Sequence, residues 1–269
     1  VSALRAAGRA LMTDYTGRHA VVLGLGLTGF SLARHLAAHG AAVRVADTRA
    51  TPPFAANLAA ALPGIKVAAG PFTAHTFAGA DLIAISPGVR RDQPAIAEAV
   101  ARGVELVGDI ELFARELPPG QKVLAITGSN GKTTVTALTG ALCRAAGLTT
   151  VVAGNIGDAV LDILVPYEGG ARARMWPDVF VLELSSFQLE TTASLRTTAA
   201  AVLNVTANHL DRYANLAAYA EAKARVFAAG GIQVLNRDDP LSLAMRVTGR
   251  TVETFGASVP ANEGEWGLV

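Results

Sequence analysis

Residues 127–134 read Thr-Gly-Ser-Asn-Gly-Lys-Thr-Thr and follow directly on the apolar run Val-Leu-Ala-Ile. Holding a nucleotide polyphosphate takes backbone N–H groups curled around its oxygens, a lysine for the β and γ phosphates, and a hydroxyl for Mg2+. Gly128, Ser129, Asn130 and Gly131 can form the curl, Lys132 supplies the cation, and Thr133 supplies the hydroxyl with Thr134 beside it. A strict phosphate loop asks for a further glycine five places before Gly131, where Ile126 stands. The loop is therefore a shortened variant in which the chemistry survives.

A second glycine loop lies nearer the N-terminus. Gly24-Leu25-Gly26-Leu27-Thr28-Gly29 is a complete G-x-G-x-x-G after the run AVVL, and Asp47 stands 18 residues beyond Gly29. Such a loop lets the backbone approach a diphosphate at a helix N-terminus while the acidic side chain ends the second strand. By pattern alone this is a dinucleotide site, although any nucleoside diphosphate can use the same geometry and a purely structural turn has the same spelling.

Three further residues combine charge with an apolar setting. Glu183 closes the run DVFVLEL, which places a carboxylate at the C-terminal edge of a strand, where α/β ligand sites form. His209 follows AAVLNVTANH, again beyond a strand. Lys223 falls in the same helical stripe as Leu216, Tyr219, Ala220, Val226 and Phe227, so it faces inward or snorkels. Burial lowers an amine's pKa and makes it nucleophilic. Cys143, the single cysteine, excludes an intramolecular disulfide and reads as a small core residue of the helix after the loop.

The elements that position these residues follow from periodicity. Short β-branched runs at 43–46, 65–68 and 82–86 alternate with helical stretches such as Pro94–Arg102, and a second series opens at Lys122 and recurs at 150–153, 179–184, 200–205 and 233–236. This rhythm belongs to βαβ units on parallel sheets. The stretch ARELPPGQK predicts a linker over 114–122, dividing residues 1–117 from 118–269. VPYEGGARARMWPD reads as a surface excursion.

Half of the 269 residues are apolar and 17% are charged, which suits buried cores. A formal net charge of +1 gives no global pull toward nucleic acid or an anionic membrane. No apolar run reaches the ~18 residues of a membrane span, and the N-terminal VSALRAAGRALMTD is too interrupted for a secretory signal, so a cytoplasmic protein is expected.

The loop TGSNGKTT resembles that of the Mur ligases, the ATP-dependent amide-forming enzymes of peptidoglycan synthesis. VLELSSFQLE, LNVTANHLDRY and AYAEAKARVF occur in that family's order, and GLGLTG, DTRATPP, SPGV and GDIELF resemble the branch that adds D-glutamate to UDP-N-acetylmuramoyl-L-alanine through an acyl phosphate. The resemblance covers nearly the whole chain. It implies a Rossmann-like UDP-sugar-binding domain at 1–117 and an incomplete P-loop ATP-binding α/β central domain at 118–269. It also implies that the C-terminal amino-acid-binding domain is absent, so that these residues bind the UDP-sugar yet form no amide.

The same resemblance assigns roles. Leu27, Thr28, Asp47, Thr48, Arg49, Ser86, Pro87 and Gly88 become candidates for the UDP-sugar, with Asn155, Ser185 and His209. Thr133, Glu183, His209 and Lys223 become ligands of a pair of Mg2+ ions, with Lys223 carbamylated by CO2, and Lys132, Glu183, His209 and Lys223 carry catalysis. The chain departs from the family at Asn208, where Asp is common. The rival readings are another Mur-type ligase, such as one adding L-alanine, and an NAD(P) sensor fused to an ATP switch.

Overall fold

A computed structural model describes residues 13–165, 167 and 175–268. The N-terminal stretch through residue 12 and most of the glycine-rich excursion lie outside them. Among the described residues no helix is long and apolar enough to cross a membrane. The chain divides into two compact units, one built from the residues up to Leu117 together with the segment from Ala159, the other from Pro118–Asp158 and the residues from Met175 onward.

The first unit runs β1 (His19–Leu23), α1 (Leu27–Ala38), β2 (Ala42–Asp47), α2 (Ala55–Ala61), β3 (Val67–Ala69), β4 (Leu82–Ile85), α3 (Pro94–Ala101), β5 (Glu105–Val107) and α4 (Asp109–Glu116). Its five strands lie in the order β3-β2-β1-β4-β5, all parallel. β1 and β4 are almost wholly buried because helices cover parallel sheets on both faces. Val21, Leu23, Ile83, Ile85, Phe77 and Ile96 form one core cluster, each side chain contributing about 1.5–3 kcal/mol by leaving water. Gly29 is required by close approach, since a Cβ there would sit 1.7 Å from the Gly24 carbonyl oxygen. The segment from Ala159 is tied to α1 by the Ser31 hydroxyl, which donates to Asp162 at 2.7 Å, and by Arg34, 3.6 Å from the same carboxylate.

The second unit runs β6 (Lys122–Thr127), α5 (Lys132–Ala145), β7 (Thr150–Gly154), β8 (Val179–Glu183), α6 (Ser186–Leu189), β9 (Ala199–Val202), α7 (Leu216–Ala224), β10 (Ile232–Asn236), α8 (Pro240–Leu243), β11 (Val252–Phe255) and β12 (Glu265–Trp266). Its seven strands are again all parallel, in the order β12-β11-β10-β9-β6-β8-β7. β8 is therefore inserted between β6 and β7, and β9 flanks β6 on the other side. Cys143 packs against the cluster of Ile126, Val179, Val181 and Leu203, as a small core residue should. On one face of this sheet Leu124, Ile126, Val135, Ala201, Val234 and Phe255 line an open apolar groove of about 380 Å³.

Two expectations need correction. The linker does not begin at residue 114: α4 continues through Glu116, because Arg115 reaches back to Glu111 at 3.1 Å and to Glu105 at 2.7 Å. The strand expected at 65–68 lies at Val67–Ala69, where its register is set by pairing with β2.

Candidate nucleotide site

In the second unit the site grows from the C-terminal ends of β6, β7, β8 and β9. β6 delivers the loop, whose turn depends on Gly128 at φ 153° and Gly131 at φ 80°, both in the left-handed range that favours glycine. Gly131 also caps α5, leaving the first amides of that helix facing the loop.

The loop is braced from β9. The Ser129 amide donates to the Asn204 carbonyl oxygen at 2.9 Å, the Asn130 amide donates to Asn204 Oδ1 at 2.9 Å, and Asn204 Nδ2 donates back to the Asn130 carbonyl oxygen at 3.1 Å. Ser129 exchanges two further bonds with the Thr206 backbone. Such bonds fix the backbone before any ligand arrives, which lowers the ordering cost of binding. Sequence reasoning missed Asn204 and Thr206. The one available signal was a polar Asn just beyond an apolar strand.

β8 delivers Glu183, which is 2% exposed. Its Oε2 accepts from the Thr133 hydroxyl at 2.8 Å and its Oε1 from Asn155 Nδ2, at the end of β7, at 3.0 Å. These partners offset the cost of burying a carboxylate. Three residues singled out by sequence thus meet at one group. Lys132 Nζ donates to the Ser129 carbonyl oxygen at 3.1 Å, so its amine folds over the loop. Thr134 follows in the first turn of α5 and is exposed.

Lys223, on α7, is 1% exposed. Its Nζ donates to the Gly128 carbonyl oxygen at 2.8 Å and lies 4.4 Å from the Tyr219 ring centre, while the Tyr219 hydroxyl is 3.4 Å from Ser129 Oγ. Burial, with the Lys132 charge as the second cause, pushes the Lys223 amine down to about 7. The inward-facing lysine read from the helical stripe is therefore present, and it touches the loop.

His209 is exposed and adopts φ 54°, a left-handed conformation uncommon outside glycine and tolerated by His better than by most side chains. Its amide donates to Asn208 Oδ1 at 2.9 Å. Its ring meets Phe187 edge-on at 4.8 Å and Tyr219 at 6.0 Å. Ser185 caps α6, its Oγ accepting from the Gln188 amide at 3.2 Å while the Ser185 amide donates to Gln188 Oε1.

In the first unit the sequence-selected residues gather at the C-terminal edge of β1, β2 and β4. Asp47 Oδ2 accepts from the Leu25 amide at 2.6 Å. Arg49 grips the same carboxylate through Nε at 2.9 Å and Nη2 at 2.6 Å. That pairing holds the Asp47 carboxyl down at about 2. Ser86 Oγ donates to the Gly24 carbonyl oxygen at 3.0 Å, locking the glycine loop against β4. Leu27, Thr48, Arg49 and Gly88 are exposed around it, with Thr28 and Pro87 partly so.

A parallel sheet with a glycine loop running into a helix, a lysine and hydroxyl at that helix's start, and a buried carboxylate on the next strand define a P-loop type of nucleotide-binding unit. Residues 126–266 match the Mur ligase middle domain and residues 18–108 match the N-terminal domain of MurD-like Mur ligases, and the chain belongs to the Mur ligase family. It is 56% identical over 266 residues to the UDP-N-acetylmuramoylalanine--D-glutamate ligase of Thiobacillus denitrificans, covering 94% of this chain and 56% of that one. The enzyme of the same name from Chromobacterium violaceum is 55% identical over 93% of this chain and 54% of its own length. The chain thus spans little more than half the length of these relatives. Among solved structures, UDP-N-acetylmuramate:L-alanyl-gamma-D-glutamyl-meso-diaminopimelate ligase from Neisseria meningitides superposes with a TM-score of 0.58 at 21% identity, over 88% of this chain and 78% of that one, a likeness of fold. Mur ligases use ATP and Mg2+.

Proposed function

We propose that this chain carries the UDP-sugar-binding and ATP-binding parts of a ligase that joins D-glutamate to UDP-N-acetylmuramoyl-L-alanine in peptidoglycan synthesis, within the cytoplasm. The observation that carries the reading is the convergence of Thr133 and Asn155 on the buried carboxylate of Glu183, beside a preformed anion-binding loop. The high identity to two D-glutamate ligases supports the choice of substrates.

Joining a carboxylate to an amine at neutral pH requires turning a carboxylate oxygen into a leaving group. ATP supplies the phosphoryl group, giving an acyl phosphate that the amine of D-glutamate attacks with release of phosphate. Cations and oriented dipoles must bring two anions together. The amides of Gly131–Thr134 would hold the phosphates, those of Ser129 and Asn130 being committed to Asn204, and Lys132 would swing from the Ser129 carbonyl to the γ-phosphate.

The donor set fits Mg2+, a hard cation that favours oxygen ligands. Thr133 and Glu183 offer hydroxyl and carboxylate oxygens 2.8 Å apart. For a second ion the ligands would be His209 and Lys223, the latter as a carbamate, which turns a buried cation into an anionic oxygen ligand. Mg2+ would neutralise charge on the transferring phosphoryl group. In the first unit, Leu27, Thr28, Asp47, Thr48, Arg49 and Ser86-Pro87-Gly88 would receive the uridine diphosphate, with the α1 N-terminus facing its phosphates; Asn155, Ser185 and His209, on the second unit, are the further candidates for the UDP-sugar.

Calorimetry on the purified chain tests the reading. UDP-N-acetylmuramoyl-L-alanine should bind and NAD should not, and ATP should bind in a Mg2+-dependent way that Lys132→Ala abolishes. Micromolar binding of NAD with no response to the UDP-sugar would overturn it in favour of a dinucleotide sensor.

A further inference from the structure

Away from both glycine loops, the first unit buries His35, His39 and Glu116 together, at 5%, 8% and 3% exposure. His35 lies in the last turn of α1 and His39 caps that helix, so their four-residue spacing stacks the imidazoles on one face with ring centres 4.0 Å apart. Glu116 ends α4, with Oε1 3.6 Å from His35 Nε2 and Oε2 accepting from the Thr13 amide at 3.1 Å. One ligand atom from each of the three residues lies within 4.8 Å of the others. We propose that His35, His39 and Glu116 form a binding site for a single divalent transition cation of the Zn2+ class, separate from the nucleotide chemistry.

Four observations support a cation over a simple ion pair. The Nδ1 of His39 is 2.7 Å from the His35 carbonyl oxygen, and a ring that donates from Nδ1 to a backbone carbonyl presents Nε2 as its lone-pair nitrogen, the arrangement that orients metal-bound histidines. Two imidazoles and one carboxylate are a ligand set suited to Zn2+. A proton on His35 would balance Glu116 but would press an imidazolium against a second imidazole, whereas a dication beside the carboxylate leaves both rings neutral. Finally, α1 and α4 both bring their C-terminal ends here, and the negative ends of two helix dipoles favour positive charge. Tetrahedral Zn2+ sets its ligand atoms about 3.3 Å apart, so binding draws the three groups together by modest side-chain rotation. The site would clamp the end of α1 to the end of α4.

The test uses the purified chain, stripped with a chelator and titrated with Zn2+ alone. One equivalent should bind and raise the thermal unfolding midpoint, and Co2+ in its place should give the intense visible absorption of a tetrahedral site. His39→Phe keeps the ring stacking while removing one ligand, and Glu116→Gln removes the charge. Each should weaken binding by at least about tenfold, since even residues that only support a ligand are worth that much. His75→Gln, at an exposed histidine of the same unit, should leave the titration unchanged. No stoichiometric binding to the wild-type chain would overturn the proposal, as would binding that survives His39→Phe or disappears with His75→Gln. If one of the two ligand variants fails to fold, the other decides.

Discussion

Thr133 and Glu183 stand 50 positions apart in sequence and share a hydrogen bond of 2.8 Å. The hydroxyl donates to the carboxylate, so both groups that would hold Mg2+ are already in place and oriented. Glu183→Gln should keep the fold, because an amide can still bond Thr133 and Asn155, while removing the charge. The expected result is a loss of about tenfold or more in ATP affinity with Mg2+ present, in line with about 1.5–3 kcal/mol for a charge-assisted contact, and little change with Mg2+ chelated. Calorimetry in the two buffers measures both.

Lys223 should react with CO2. With the amine at about 7, its unprotonated fraction grows as pH rises through neutrality, and only that form is nucleophilic. Labelled bicarbonate should give a carbamate carbon resonance that strengthens from pH 6 to pH 8 and is missing from Lys223→Arg. An identical spectrum from that variant would remove Lys223 from the metal-ligand set.

The pair Asp47–Arg49 predicts an acid-sensitive first unit. A carboxyl held at about 2 instead of its ordinary 3.8 contributes stability that is fully present above pH 3.8 and lost as pH falls toward 2. Arg49 is half exposed, so solvent screening limits the effect to at most about 2 kcal/mol. Denaturant melts across pH 2 to 5 should show this slope in the wild type and a flatter one in Asp47→Asn.

Gly29→Ala should be severe. The added methyl would meet the Gly24 carbonyl oxygen at 1.7 Å, so β1 and α1 must part, at a cost of about 1–3 kcal/mol or more. UDP-sugar binding should vanish while ATP binding by the second unit persists, which two titrations on one preparation would separate.

Much of this was legible because the informative signals are local. The loop around Gly131 lies in one continuous run, and the inward aspect of Lys223 follows from helical spacing. Glu183 was legible as a charge closing an apolar strand. Asn204 was not, since its link to Asn130 spans 74 positions and its residue type is ordinary in a turn. Tyr219 was visible only as an apolar stripe member, although its hydroxyl reaches Ser129 and its face meets Lys223. The extent of α4 was hidden by prolines just beyond it, where Arg115's ion pairs with Glu105 and Glu111 outweigh the local turn signal. β11 and, at the sheet edge, β12 are short strands whose pairing is decided by neighbours and hardly at all by their own composition.

The insertion of β8 between β6 and β7 has a bearing on how the chain acquires its site. Pairing Lys122 with Val179 and Ile126 with Glu183 closes a chain segment of more than fifty residues before the central strand gains its neighbour. Contacts of such separation form late and slow the search. The helix α5 is local and can assemble early, but the loop gains its braces from Asn204 and Thr206 only when β9 is in place, and Glu183 reaches Thr133 only when the last gap in that half of the sheet is filled. Nucleotide affinity should therefore lag behind helix formation during refolding, and a fluorescent ATP analogue would report when the sheet closes.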